Sequence, residues 1–168
     1  MTSAQTDRLL SFIAIASLLA VGIALISQHF FDMPPCAYCV FQRLLFLAVA
    51  ASSILALLLR KVRLGQMLFT LLAIVFSIGG VAAAFYQHTV ASQMLSCSQT
   101  FADRFMTKSG LDEALPAVFG IYASCADAVV EVLGLKYELW SLALFVIVGA
   151  TALVALVRQA RAPARLFS

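Results

Sequence analysis

Four long apolar stretches alternate with short polar or basic breaks along this chain, at residues 9–27, 40–59, 64–86 and 139–157. Each is long enough to cross a hydrocarbon core of roughly 30 Å at about 1.5 Å per residue. The pattern predicts an all-α membrane protein, a bundle of four transmembrane helices forming one domain over residues 1–168. The first stretch exceeds the usual apolar region of a signal sequence, and no small-x-small site closes it, so it reads as a span. Ser77, Gly79 and Gly80 put small residues in the third stretch, where helices can approach closely.

Between the spans lie a short outer segment (residues 28–39), a tight basic loop and one long polar segment (residues 87–138). Within the long segment, residues 111–123 are weakly apolar and interrupted by Pro116 and Gly120. That piece is too short to span and is expected to lie flat on the membrane surface. No internal repeat or low-complexity segment is evident.

Composition agrees with the pattern. Of 168 residues, 63% are hydrophobic and 11% charged, and mean hydropathy is +1.01, well outside the range of water-soluble domains. The net charge of +3 is modest. No basic stretch is interleaved with aromatics as on a nucleic-acid-binding face, which sets that partner aside.

Charge also gives sidedness. With four spans, Arg8, Arg60, Lys61, Arg63, Arg158, Arg161 and Arg165 fall on one side. The other side carries Arg104, Lys108 and Lys136 against Asp32, Asp103, Asp112, Glu113, Asp127, Glu131 and Glu138. The positive-inside rule then places both termini in the cytoplasm and both cysteine-bearing loops outside, in a periplasm or its equivalent. Disulfides persist in such a compartment.

The chemistry centres on Pro34-Pro35-Cys36-Ala37-Tyr38-Cys39-Val40-Phe41-Gln42-Arg43. Proline suits the first turn of a helix, so Cys36 and Cys39 are expected in the first turn of the second span. A helix N-terminus favours a thiolate over a thiol. Arg43 follows at i+4 from Cys39 and i+7 from Cys36, so the three can share one helix face. Together they suggest redox chemistry. The plainer readings of a Cys-x-x-Cys are half a zinc site, a structural disulfide or coincidence, and that of Arg43 is a snorkelling interface anchor. Cys97 and Cys125 are isolated singles, which disfavours a zinc site built from all four cysteines. Two pairings make chemical sense, Cys36 with Cys39 and Cys97 with Cys125.

These residues closely resemble the DsbB family, bacterial inner-membrane proteins that reoxidise the thiol oxidase DsbA. The likeness rests on Gln28-His29, Pro35-Cys36-x-x-Cys39 and Arg43, then on Tyr86-x-His88-Thr89 ending the third span. The cysteine pair of the long loop and Leu133-Gly134-Leu135 before Trp140 complete it. It implies a four-helix bundle with a quinone, ubiquinone or menaquinone, held near the first cysteine pair, and no metal. Electrons would pass from a reduced periplasmic DsbA-like protein to Cys97–Cys125, then to Cys36–Cys39, then to the quinone. Carried over by position, Cys97 forms the mixed disulfide with the donor and Cys125 exchanges with Cys36. Cys39 faces the quinone as a thiolate, and Arg43 stabilises it; Gln28 and His88 join the implied quinone contacts. The family often has a glutamine four residues after the histidine. Here that position is Ser92, with Gln93 next along: either Gln93 substitutes after a small local shift or that contact is absent. Gln42 stands before Arg43 where some members have an acid.

Other residues carry two readings each. His29 and His88 are interfacial hydrogen-bonding groups or proton carriers, and Gln28 is an interface residue or a headgroup contact. Trp140 reads as a membrane-belt residue. Phe30, Phe31, Tyr38 and Phe41 line a ring-binding pocket or face lipid. Two rival functions stand beside thiol oxidation by quinone. One is a reductase like vitamin K epoxide reductase, whose redox pair lies towards the last helix of its bundle. The other is a four-span scaffold whose outer disulfides are only structural.

Overall fold

The computed structural model describes residues 2–93 and 100–161. Four long helices make the frame: α1 (Thr2–Phe30), α2 (Ala37–Leu58), α3 (Arg63–Thr89) and, after the long loop, α7 (Tyr137–Arg161). All four are long and apolar enough to cross a membrane. They run up and down in sequence order, each packed on its chain neighbours, and α7 closes the ring against α1. The helices exceed the expected spans by one to seven residues at most ends, because apolar composition marks the hydrocarbon depth whereas hydrogen bonding continues into the interface. As a result Cys39 lies inside α2 rather than in the outer segment, and Cys36 is its N-cap residue.

Small and aromatic side chains set the spacing inside. Phe46 of α2 stacks on Phe145 of α7 with ring centroids 3.8 Å apart and 7° between planes. Phe145 also lies over Gly80 of α3, where an added Cβ would run into its ring. Gly149 of α7 faces Ser77 of α3, with 3.2 Å from an added Cβ to the Ser77 Cβ. Around them Leu10, Ile13, Val49, Ala73, Val148 and Ala152 are buried, while Phe12, Ile15, Leu19, Leu71, Val75 and Ile147 face outward. A bundle that is apolar inside and out is what a lipid solvent permits, with small residues letting backbones come close.

At one end, three of the basic residues bond to neighbouring elements. The Arg63 guanidinium donates to the Ala160 carbonyl (2.9 Å), Arg158 donates to Gln5 (3.2 Å), and Arg60 lies 3.9 Å from Asp7. Deeper in the bundle, Gln159 of α7 donates to the Thr70 hydroxyl of α3 at 3.0 Å.

The long loop at the other end is more ordered than its polarity suggested. It holds α4 (Phe101–Ser109), two single turns α5 (Leu111–Ala114) and α6 (Pro116–Phe119), and a hairpin of β1 (Glu131–Val132) and β2 (Leu135–Lys136). Thr100 and Asp103 form a capping box at the start of α4, and Gly110 ends it with φ of 66°. The apolar piece expected on the membrane surface is broken at Pro116, and its Phe119 is buried with Val40 and Met106. Part of its apolar face therefore serves the protein core. Phe41 meets Phe101 and Phe105 edge-on, at 6.0 and 5.4 Å between centroids, which seats α4 on α2. The hairpin turn is made by Leu133 and Gly134, both at positive φ (55° and 77°), as a two-residue hairpin of primed type requires.

Gly80→Ala tests this frame. The Phe145 ring is already held by Phe46, so the methyl group has no free space, and a loss on the order of 1–3 kcal/mol is expected. Thermal unfolding in detergent should show it, while Gly22→Ala, with open space around it, should leave the melting temperature near that of the parent.

Candidate functional site

Two prolines lead the chain into α2, and the Cys36 carbonyl accepts the Val40 amide at 3.0 Å, closing the first turn. That turn puts the two sulfurs 3.1 Å apart and points them at different surroundings. Cys36 is fully buried, in a cluster with Ala37, Tyr38, Ala83, Ala91, Ala102 and Cys125. Its thiol hydrogen-bonds with both Cys125 and Cys39. Cys39 is half-buried and lines a cavity of about 290 Å³ between α1, α2, α3, the hairpin and α7.

Cys125 reaches Cys36 because the loop is tied down just before it. The amides of Tyr122 and Ala123 both donate to the Pro35 carbonyl, at 3.0 and 3.3 Å. Ser124 and Asp127 then hold the turn, hydroxyl to carboxylate at 2.6 Å. Cys125 is itself buried. The thiol hydrogen bonds to Cys125 and Cys39, together with burial, hold Cys36 well above the ordinary thiol range. Cys97 lies outside the described residues.

Arg43 is buried, which removes the reading of a snorkelling anchor. Its guanidinium donates to the Gln28 side-chain oxygen (2.6 Å), the Val118 carbonyl (3.0 Å) and the Ala24 carbonyl (3.3 Å). These bonds join α1, α2 and α6 at one point. The Nε of the same side chain is buried without a partner, and Arg43 lines the cavity beside Cys39.

A second polar chain runs from Gln42 to the cysteine. Gln42 donates to Gln87 at 2.7 Å, and Gln87 donates to the Cys39 sulfur at 3.3 Å. Gln87 is the residue that sequence reasoning passed over, the unread position in Tyr86-x-His88-Thr89. Its sequence position carried little signal: it stands just past the third apolar stretch, and only the packing of α3 against the start of α2 brings it to Cys39.

The other expected contacts divide. Gln28 reaches the site through Arg43. His88 does not line the cavity, but its Nδ1 is 3.1 Å from the Glu138 carboxylate, which does. Gln93 sits exposed on a single 3-10 turn (Ala91–Gln93) and lines neither this cavity nor its smaller neighbour. Ser92 donates to the His88 carbonyl at 2.9 Å. His29, Phe30 and Phe31 are exposed, and Tyr38 packs on Tyr86 with centroids 5.4 Å apart. Trp140 is half-exposed, lines the cavity and donates to the Val132 carbonyl at 3.2 Å, fixing the hairpin over the cavity.

The cavity suits a flat ligand with an apolar body and carbonyl oxygens. Ala20, Ile23, Ala24, Phe46 and Leu144 give apolar walls, and a few convergent donors sit among them. The orphan Arg43 Nε is the clearest mark of fit, since a buried donor without an acceptor is costly unless a ligand supplies one. No group of three or more potential metal-binding side chains occurs among the described residues.

Comparison with known proteins points the same way. The chain matches the family model described as Disulfide bond formation protein DsbB over residues 6–155. Disulfide bond formation protein B of Ralstonia nicotianae is 31% identical over 150 residues, 89% of this chain and 92% of that protein. The protein of the same name from Cupriavidus metallidurans is 30% identical over 148 residues, 88% of this chain and 90% of its own. Disulfide bond formation protein B 2 of Pseudomonas aeruginosa is 31% identical over 137 residues, 80% of each chain. The likeness extends from the first span across the long loop into the last, and the chain belongs to the DsbB family of membrane disulfide bond formation proteins.

Proposed function

We propose that this protein is a thiol oxidase of the bacterial inner membrane, acting as a single membrane domain with both termini in the cytoplasm. It takes electrons from a reduced, periplasmic DsbA-like dithiol protein and passes them through two cysteine pairs to a membrane quinone. One observation carries the reading: the Cys36–Cys39 pair is two-faced, Cys36 against Cys125 of the outer loop and Cys39 against an apolar cavity holding Arg43.

Each role follows from that placement. Cys97 accepts the donor thiolate in a mixed disulfide, freeing Cys125. The Cys125 sulfur attacks Cys36, its neighbour, and Cys39 departs as the leaving thiolate. Exchange is fast when the departing sulfur is stabilised. Cys39 has the Gln87 amide on its sulfur and the start of α2 beneath it. Arg43, with Gln28 holding its guanidinium in place, offers positive charge and a spare Nε where charge builds on a bound carbonyl oxygen. A quinone supplies an acceptor of two electrons and two protons that travels within the bilayer. Arg43, Gln87, Trp140 and the apolar wall are the residues that would hold it.

Quinone reduction by the purified protein, given a reduced DsbA-like dithiol, is the decisive measurement. Turnover that vanishes in Cys39→Ser supports transfer through Cys39; no turnover in folded protein with several donors and quinones would leave the scaffold reading. Arg43→Ala should slow quinone reduction about ten- to a hundredfold, the worth of a charged hydrogen bond, with thiol exchange partly kept. Unchanged kinetics would leave Arg43 as a clamp between helices. Cys97→Ser should lose trapping of the donor while quinone still binds.

Gln87→Leu separates positioning from charge. It removes the donor to the Cys39 sulfur and leaves the Gln42 amide without its acceptor. Alkylation of Cys39 at neutral pH should slow severalfold, with Arg43 still in place. An unchanged alkylation rate would mean that the Gln87 contact has no bearing on the thiolate.

A further inference from the structure

One buried acid has no part in that scheme. Glu138 sits in the first turn of α7, is 4% exposed, and lines both the main cavity and the smaller one beside it. It is the only carboxyl group among the residues lining either cavity. A glutamate at a helix start is well placed for the helix dipole, but an exposed position would serve that purpose equally. A carboxyl buried where a membrane helix begins is costly and marks a function.

Among the described residues, its side-chain partner points outward. The His88 Nδ1 lies 3.1 Å from the Glu138 carboxylate, and the side chains are 34% and 3% exposed respectively. The histidine in the last turn of α3 thus touches solvent on one side and the enclosed carboxylate on the other. The other titratable groups lining the cavities are Cys39 and Arg43 from α2 and Tyr137 from α7 itself. The linings contributed by α1 and the hairpin, Ala20, Ile23, Ala24, Ser27, Val132 and Leu133, carry none.

We propose that Glu138 exchanges a proton with the acceptor bound in the cavity, and that His88 connects Glu138 to the outer aqueous face. The inference rests on the thiol-to-quinone reading and completes its proton balance. After exchange with the loop pair, Cys36 is a thiol, Cys39 is a thiolate, and one proton has been released outside. Formation of the Cys36–Cys39 bond then sends two electrons to the quinone. One proton leaves Cys36 as its S–H bond breaks, and the other leaves the Glu138 carboxylic acid as its O–H bond breaks. Both go to the quinone oxygens. His88 then returns to the Glu138 carboxylate the proton set free at the exchange step, so the donor dithiol has supplied two electrons and two protons. The raised position of the Cys36 thiol fits its part as a proton carrier.

The test is Glu138→Gln, which keeps the size and the hydrogen bond to His88 but has no acidic proton. In quinone-free protein, infrared difference spectra between the oxidised and reduced cysteines should show a carboxyl band that disappears in the variant. With quinone, turnover should fall tenfold or more and decline as pH rises, since the proton must now come from water; disulfide exchange with the donor should stay at the parent rate. His88→Gln should slow turnover in the same pH-dependent way, with added imidazole restoring part of it, and this supplies the answer if Glu138→Gln does not fold. Parent-like turnover and pH profile in both variants, or a carboxyl band that survives Glu138→Gln, would overturn the proposal while leaving the thiol oxidase standing. Slower turnover with an unchanged pH profile would overturn it too, reducing Glu138 to a structural group. A parent protein that reduced no quinone would remove the reading beneath it, a result visible before any variant is made.

Discussion

The guanidinium of Arg43 is the constraint on which the outer half of this molecule depends. A full positive charge at that depth is costly unless its donors find partners; α1 supplies two and the loop one, and the Nε is left without one. Those bonds fix the separation of α1 and α2 at the height of the cysteines. They also pull α6 down onto the bundle, and with it the segment that leads to Cys125. One side chain therefore ties the cavity wall and the loop that carries Cys125 to a common point.

Charge and thiol chemistry are thereby divided between the two faces of one helical turn. Cys36 looks towards the loop, where its neighbours are other sulfurs and apolar groups. Cys39 looks inward, where Gln87 supplies a hydrogen bond and apolar side chains form most of the cavity wall. Three residues apart, the two cysteines lie only about 60° apart around the helix, and their surroundings differ because that turn stands at the boundary between loop and bundle.

Much of this was legible in the sequence, and what was not has a physical cause. Apolar length marked four spans, and the paired prolines marked the start of α2, since both are local properties of the chain. The fate of Arg43 was not readable, because snorkelling and burial differ only in what the neighbouring helices provide. Gln87 and Glu138 were hidden for a related reason. Each looked like one more polar residue at a helix end, and only the packing of α2, α3 and α7 turns both towards Cys39 and the cavity. Gln93, weighed as a substitute for the family's glutamine, is exposed and lines neither cavity. Thr100 and Asp103 did carry a local signal for α4, but it lay within a segment read by its polarity alone.

The complete burial of Cys36 would have a consequence for the proposed traffic of electrons. A small thiol dissolved outside the membrane meets no exposed sulfur there, however favourable its potential. Thiol exchange needs a sulfur that can be approached in line, so in the proposed relay the midpoint would be insulated from the surrounding solution. Short-circuiting would then be prevented by access rather than by voltage, and whatever entered at Cys36 would come by way of the loop that covers it.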